Sequence, residues 1–84
     1  MWYKKKTYKY YIEITNYNGE YIFQTKWFDT KEQAMNWLKD NVAWCDLDNY
    51  NLYIMKSAFE DGWHTDIEKD IQIDFDTLCK LRGY

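Results

Sequence analysis

Ser57, His64 and a nearby acid, Asp61 or Asp66, are the residue types of a hydrolytic triad. A hydroxyl nucleophile needs a base to take its proton and an acid to orient that base. The chain has one histidine and one serine, and neither lies in a glycine-flanked nucleophile turn. His64 therefore reads as a polar residue beside a hairpin turn, and no catalytic residues are assigned. Cys45, His64 and Cys79 carry soft metal donors, but no Cys-x-x-Cys knuckle brings them into a zinc pattern. Asp46-Leu47-Asp48-Asn49 opens like a calcium loop, yet Asn51 and Ser57 stand where such a loop needs glycine and glutamate. Three isolated glycines cannot build a phosphate cradle. The pairs Glu60-Asp61 and Asp66/Glu68 crowd short segments where a sugar cleft has no room. The chain reads as no enzyme, with no metal and no cofactor.

Carboxylates carry the pattern that remains. Between Trp63 and Phe75 the residue types alternate, with Asp66, Glu68, Asp70 and Asp74 at even positions and Ile67, Lys69, Ile71 and Ile73 at odd ones. Alternation at period two predicts a strand with the acids on one face. Neighbouring carboxylates would then stand about 6.6–7 Å apart, twice the rise per residue. A row of this kind substitutes for nucleic-acid phosphates and fits a groove of Lys and Arg. The expected partner-binding residues are Asp66, Glu68, Asp70 and Asp74, flanked by Glu60, Asp61 and Asp76, with Trp63 as an aromatic anchor. A solvated strand face, or an edge guarded by charge, explains acids equally simply.

The opposite charge gathers at the start. Lys4, Lys5, Lys6 and Lys9 interleave with aromatics that include Tyr11, the combination single-strand binders use for phosphates and bases. Residues 1–31 hold six lysines against three acids, and the remainder holds five basic residues against eleven acids. Such polarity bears on partners rather than fold. The overall acidity makes a basic protein surface, such as that of a nucleic-acid-processing enzyme, a better match than nucleic acid itself.

These residues must be positioned by one domain, since 84 residues divide into no two adequate cores. Five Trp, nine Tyr and four Phe supply more ring surface than one core hides, which leaves a homodimer open. The first strand runs from Tyr8 to Thr15, and Asn16-Tyr17-Asn18-Gly19 is a turn. A second strand follows from Tyr21 to Phe28, with Tyr21, Phe23, Thr25 and Trp27 on one side and Ile22 and Phe28 on the other. Asp29…Glu32 and Thr30…Gln33 are overlapping capping boxes for a helix with Ala34, Met35, Leu38 and Val42 inward. Cys45 to Asn49 reads as a polar connection, Tyr50 to Phe59 as a third strand, and Glu60-Asp61-Gly62 as its turn. Asp76 is the expected cap of a closing helical turn. The predicted fold is α+β, in ββαββ order: a four-stranded antiparallel sheet with one helix on one face. There is no apolar run of membrane-spanning length and no signal-peptide core after the basic start, and two unpaired thiols suit the cytoplasm.

The residues Phe28-x-Thr30-x-x-x-Ala34-x-x-Trp37-Leu38 resemble the sheet-then-helix of arm-binding domains in tyrosine recombinases. That resemblance implies a three-stranded sheet that reads DNA through basic strand residues. Only Lys26 answers on the second strand, and an acidic strand follows, so DNA reading is not carried over. In composition the chain is similar to small phage accessory proteins, among them acidic anti-CRISPR and anti-restriction inhibitors. The expected function is a non-catalytic interaction protein that blocks a basic, nucleic-acid-binding surface. The alternatives are a nucleic-acid-binding module built on the first hairpin and a dimer-forming structural protein.

Overall fold

A computed structural model describes residues 7–60 and 62–83. β1 (Thr7–Asn16) and β2 (Tyr21–Gln24) form the first hairpin, closed by a turn in which Asn16 Oδ1 accepts from the Asn18 and Glu20 amides. Gly19 holds the turn at φ 84°, a conformation that penalises a Cβ. α1 (Lys31–Asn41) follows, then the single turn α2 (Asp46–Asn49), where the sequence suggested only a connection. β3 (Tyr50–Glu60), β4 (Trp63–Ile73) and α3 (Phe75–Leu81) complete the chain. The sheet is antiparallel in the order β2-β1-β3-β4, so the α+β, ββαββ reading holds and the two hairpins join through β1 and β3. Four strands also replace the three-stranded sheet of the recombinase resemblance.

Residues directly opposite in an antiparallel ladder share a face. Ile14, Leu52 and Ile73 form one row across β1, β3 and β4, and Ile12, Ile54 and Ile71 the next. α1 covers these rows with Ala34, Leu38 and, just past its end, Val42, while α3 adds Leu78. Of the two possible capping boxes only Thr30 with Gln33 forms: the Thr30 hydroxyl accepts from the Gln33 amide, and the Gln33 side chain accepts from the Thr30 amide. At the other end of α1, the Arg82 guanidinium donates to the Lys39 and Val42 carbonyls, tying α3 to carbonyls a helix leaves unpaired.

The second strand is shorter than the composition suggests. Pairing stops at Gln24, and Phe28 rejoins β1 opposite Tyr10. Thr25 is responsible: its hydroxyl accepts from the Ile12 amide, taking the place of a backbone acceptor. The extra residue this inserts reverses the parity. Phe28 and Phe23 therefore share the helix side, where strict alternation separated them, and Trp27 goes to the opposite face; a second irregularity, at Ile22, puts Tyr21 on that opposite face too, across from Thr15.

α3 is capped by Asp74, not Asp76. Asp74 Oδ1 accepts from the Thr77 amide at 2.8 Å, and Asp76 falls within the first turn. Hydrogen bonds from Thr77, side chain first and then backbone, hold the Asp74 carboxyl below the usual aspartate range. A depressed folded value contributes stability above the unfolded pKa of about 3.9 and loses it as pH falls through the folded value. Asp74→Ala should therefore lower the melting temperature at neutral pH, with the gap to wild type closing below about pH 4. A gap of equal size at pH 6 and pH 3 would contradict the capping role.

Candidate functional site

The strand expected to carry an unbroken acidic row does not alternate throughout. Two residues of β4 are looped out of the β3–β4 ladder: Asp70, between Lys69 and Ile71, and Thr65, between His64 and Asp66. A bulge adds one residue without a partner and so exchanges the faces of everything beyond it. Ile71 and Ile73 consequently lie on the same face as Glu68 and Asp66, and Ile67 and Lys69 lie opposite. The expected segregation of four carboxylates from the odd-numbered isoleucines is corrected to two carboxylates, Asp66 and Glu68, beyond the edge of the core.

Asp70 and Asp74 leave the row for identifiable reasons. Asp70 meets Lys31 at 2.9 Å, with a quarter of its side chain exposed, which fastens the bulge to the first turn of α1. Asp74 is the α3 cap. Asp74 and Asp76 also lie at the far end of β4, roughly 25 Å from Asp66 at the rise of a strand. Asp61 lies outside the described residues.

What comes together is a patch on the helix side of the sheet, past the helix. Its rows are Tyr10, Lys56 and Glu68, then Tyr8, Ala58 and Asp66, and finally Glu60 with Trp63 at the hairpin end. Asp66 and Glu68 are exposed, and Trp63 is 76% exposed, the most open large hydrophobic residue among those described. Lys56, opposite Glu68 and with its ammonium 4.3 Å from the Tyr8 ring centre, is one positive charge against Glu60, Asp66 and Glu68, so the patch stays net acidic. The sheet reaches this far because α1 spans only part of a molecule 51 Å long.

The other face holds a small second core that sequence reasoning missed. Trp27 packs edge-on against Tyr11 at 4.6 Å and stacks on the His64 ring at 3.8 Å. Together the two rings cover Ser57, which is fully buried, and Tyr11, which is 5% exposed. Small Ser57 lets rings from opposite sides of the sheet meet above it. The pairing of Phe59 with His64 across the Gly62 turn was the available signal for this contact.

Ser57 and His64, set aside as catalytic on sequence grounds, are thus brought to 3.1 Å between Oγ and Nδ1. The Ser57 Oγ also lies 3.0 Å from the Ala58 carbonyl, and both contacts are satisfied at once in the tautomer whose Nδ1 carries a proton and donates to Oγ while the hydroxyl donates to that carbonyl. The pair ties β3 to β4.

The expected nucleic-acid-binding residues are also accounted for. Lys9 pairs with Asp29 at 3.2 Å and lies 4.9 Å from the Phe59 ring centre. Tyr11 is covered and offers no open ring for a base. Burial, then Glu13 and Tyr21, push its hydroxyl pKa up. Lys4, Lys5 and Lys6 lie outside the described residues.

Among the described residues no group of three or more His, Cys, Asp or Glu side chains is placed to hold a metal ion, and both cysteines are free thiols. No helix there is long and apolar enough to cross a membrane. An open concavity of about 380 Å³ lies between Lys26–Asp29 and α1, but Gln33 is occupied in capping and Asp29 by Lys9. Comparison with protein-family models, curated proteins and solved structures returned no match.

Proposed function

We propose that this chain is a non-catalytic interaction protein that docks on a basic, nucleic-acid-binding surface of another protein and blocks it. The observation that carries the reading is the exposed pair Asp66 and Glu68, on one face with the open Trp63 ring, at an end of the sheet that none of the described helices covers. Two carboxylates about 6.6–7 Å apart offer a basic groove the anionic spacing it meets along a nucleic-acid strand. Trp63 supplies what charge alone does not, a ring that becomes buried on contact and slows dissociation. Glu60 extends the acidic rim.

The fitting partner is a nucleic-acid-processing enzyme met in the cytoplasm, a setting compatible with two free thiols. Inhibitors of the anti-CRISPR or anti-restriction kind, carried by phages or mobile elements, are the class whose task this surface suits. Direct nucleic-acid binding by the first hairpin has less support, since Lys9 is paired and Tyr11 covered.

The immobilised protein should capture a basic nucleic-acid-binding enzyme from bacterial lysate at low salt and release it at high salt. Replacing Asp66 and Glu68 together by Lys should reduce that capture about tenfold or more, with the circular dichroism spectrum unchanged. A folded double variant that captures as well as wild type would reduce the patch to a solvated surface.

A further inference from the structure

Three parallel lines of side chains cross the acidic end of the sheet on its helix side. β4 contributes Glu68, Asp66 and Trp63, and β3 contributes Lys56, Ala58 and Glu60. Tyr10 and Tyr8 of β1 lie opposite Lys56 and Ala58 and form the third line. Neighbours within a line stand about 6.6–7 Å apart, and the two outer lines about 9.4–9.8 Å, twice the spacing between strands. Asp66 thus faces Tyr8 across Ala58, and Glu68 faces Tyr10 across Lys56. Each step along the patch carries an anion at one side and an aromatic ring at the other, as a nucleotide carries a phosphate and a base. Trp63 and Tyr8 are open, at 76% and 44% exposed, whereas Tyr10 packs partly against the core.

A duplex and a single strand call for different imitations. A duplex presents two phosphate rows across a groove, about 12 Å wide on the major side and about 6 Å on the minor, with its bases stacked inside. Among the described residues of this face the carboxylates make one row, with Glu60 beside its end, and the line across the sheet from it is tyrosine. Surfaces that bind duplexes hold phosphates and read base edges chiefly by hydrogen bonds, so a protruding ring has little to meet there. Grooves for single strands interleave basic residues with aromatic platforms on which bases stack. Trp63 and Tyr8 have a counterpart only in the second kind of site.

Building on the docking surface proposed above, we infer that its occupant is the single-strand groove of a nucleic-acid-processing enzyme. Asp66 and Glu68 take the places of successive phosphates, and Tyr8 and Trp63 lie against the platforms that otherwise stack bases. The charges mainly speed encounter, and the rings, once covered, slow release. Lys56 does not oppose this, because it offsets one of three carboxylates and its ammonium lies over the Tyr8 ring.

The enzyme captured on the immobilised full chain can be challenged with one sequence lacking self-complementarity, offered as a single strand and as a duplex, in DNA and in RNA. The single strand, in one of the two chemistries, should release the enzyme at about one-tenth of the concentration its duplex needs. Tyr8→Ala and Trp63→Ala should each weaken capture about tenfold with the circular dichroism spectrum unchanged, and Trp63, the more exposed, decides the matter if Tyr8→Ala disturbs folding. Equal release by the two forms, or earlier release by duplex, would overturn the single-strand assignment and leave the docking surface standing. Capture that survives the loss of both rings would do the same. An enzyme that no nucleic acid displaces, or no capture at all, would overturn the docking surface and the single-strand assignment with it.

Discussion

Ile73→Ala should lower the free energy of unfolding by about 3 kcal/mol, and Ile67→Ala should change it by less than about 0.5 kcal/mol. Both are isoleucines of β4 at odd positions, and uninterrupted alternation would give them the same environment. The Asp70 bulge separates them. Ile73 is 3% exposed, opposite Leu52 and within the cluster that includes Leu38 and Leu78. Its truncation leaves a cavity walled by side chains from β3, α1 and α3, which cannot all relax inward. Ile67 is 55% exposed on the open face, opposite Ser57, where solvent fills any space made. For a domain of this size the total stability is about 4–13 kcal/mol, so the Ile73 loss is a substantial part of it. Urea unfolding curves with equal slopes would measure both changes. Equal losses at the two positions would mean that Ile67 and Ile73 share one face, and the corrected placement of Asp66 and Glu68 would fail with it.

What could be read in advance was whatever depends on local chemistry. The Asn16–Gly19 turn follows from residues that accept positive φ or fold back on their own amides. The Thr30–Gln33 box and the Ala34, Leu38, Val42 stripe follow from helix geometry alone, and they fixed which face of α1 turns inward. The misplaced residues share one cause. Parity along a strand is cumulative, so a single residue without a partner moves every later side chain to the other face. Thr25 exchanged Trp27 with Phe28, and Asp70 brought Ile71 and Ile73 round to the side of Glu68 and Asp66. Neither residue announces itself by type. Thr25 departs because a hydroxyl replaces a carbonyl acceptor, and Asp70 because Lys31, distant in sequence, holds it. Both are tertiary facts. The cap at Asp74 differs in kind: Asp74 and Asp76 are equally good candidates by type, and the end of β4 at Ile73 selects the first.

Trp27→Ala should cost about 2–3 kcal/mol, less than a fully buried tryptophan because part of the ring meets solvent. The indole covers the second core, lying edge-on to Tyr11 and flat against His64. Its removal exposes Tyr11 and opens Ser57 to water on a face that none of the described helices covers. The raised Tyr11 pKa has burial as its first cause, so the variant should return that hydroxyl toward its ordinary value of about 10, which ultraviolet titration would detect. Trp63→Ala is the informative contrast. That ring is among the most exposed hydrophobic groups described, so its loss should leave urea unfolding within about 0.5 kcal/mol of wild type. It should nevertheless weaken capture of the basic partner, because a ring left in solvent gains its value only when another surface covers it. One tryptophan is thus spent on holding the open face together and the other is kept for a partner. A large stability loss at Trp63, or none at Trp27, would reverse those assignments.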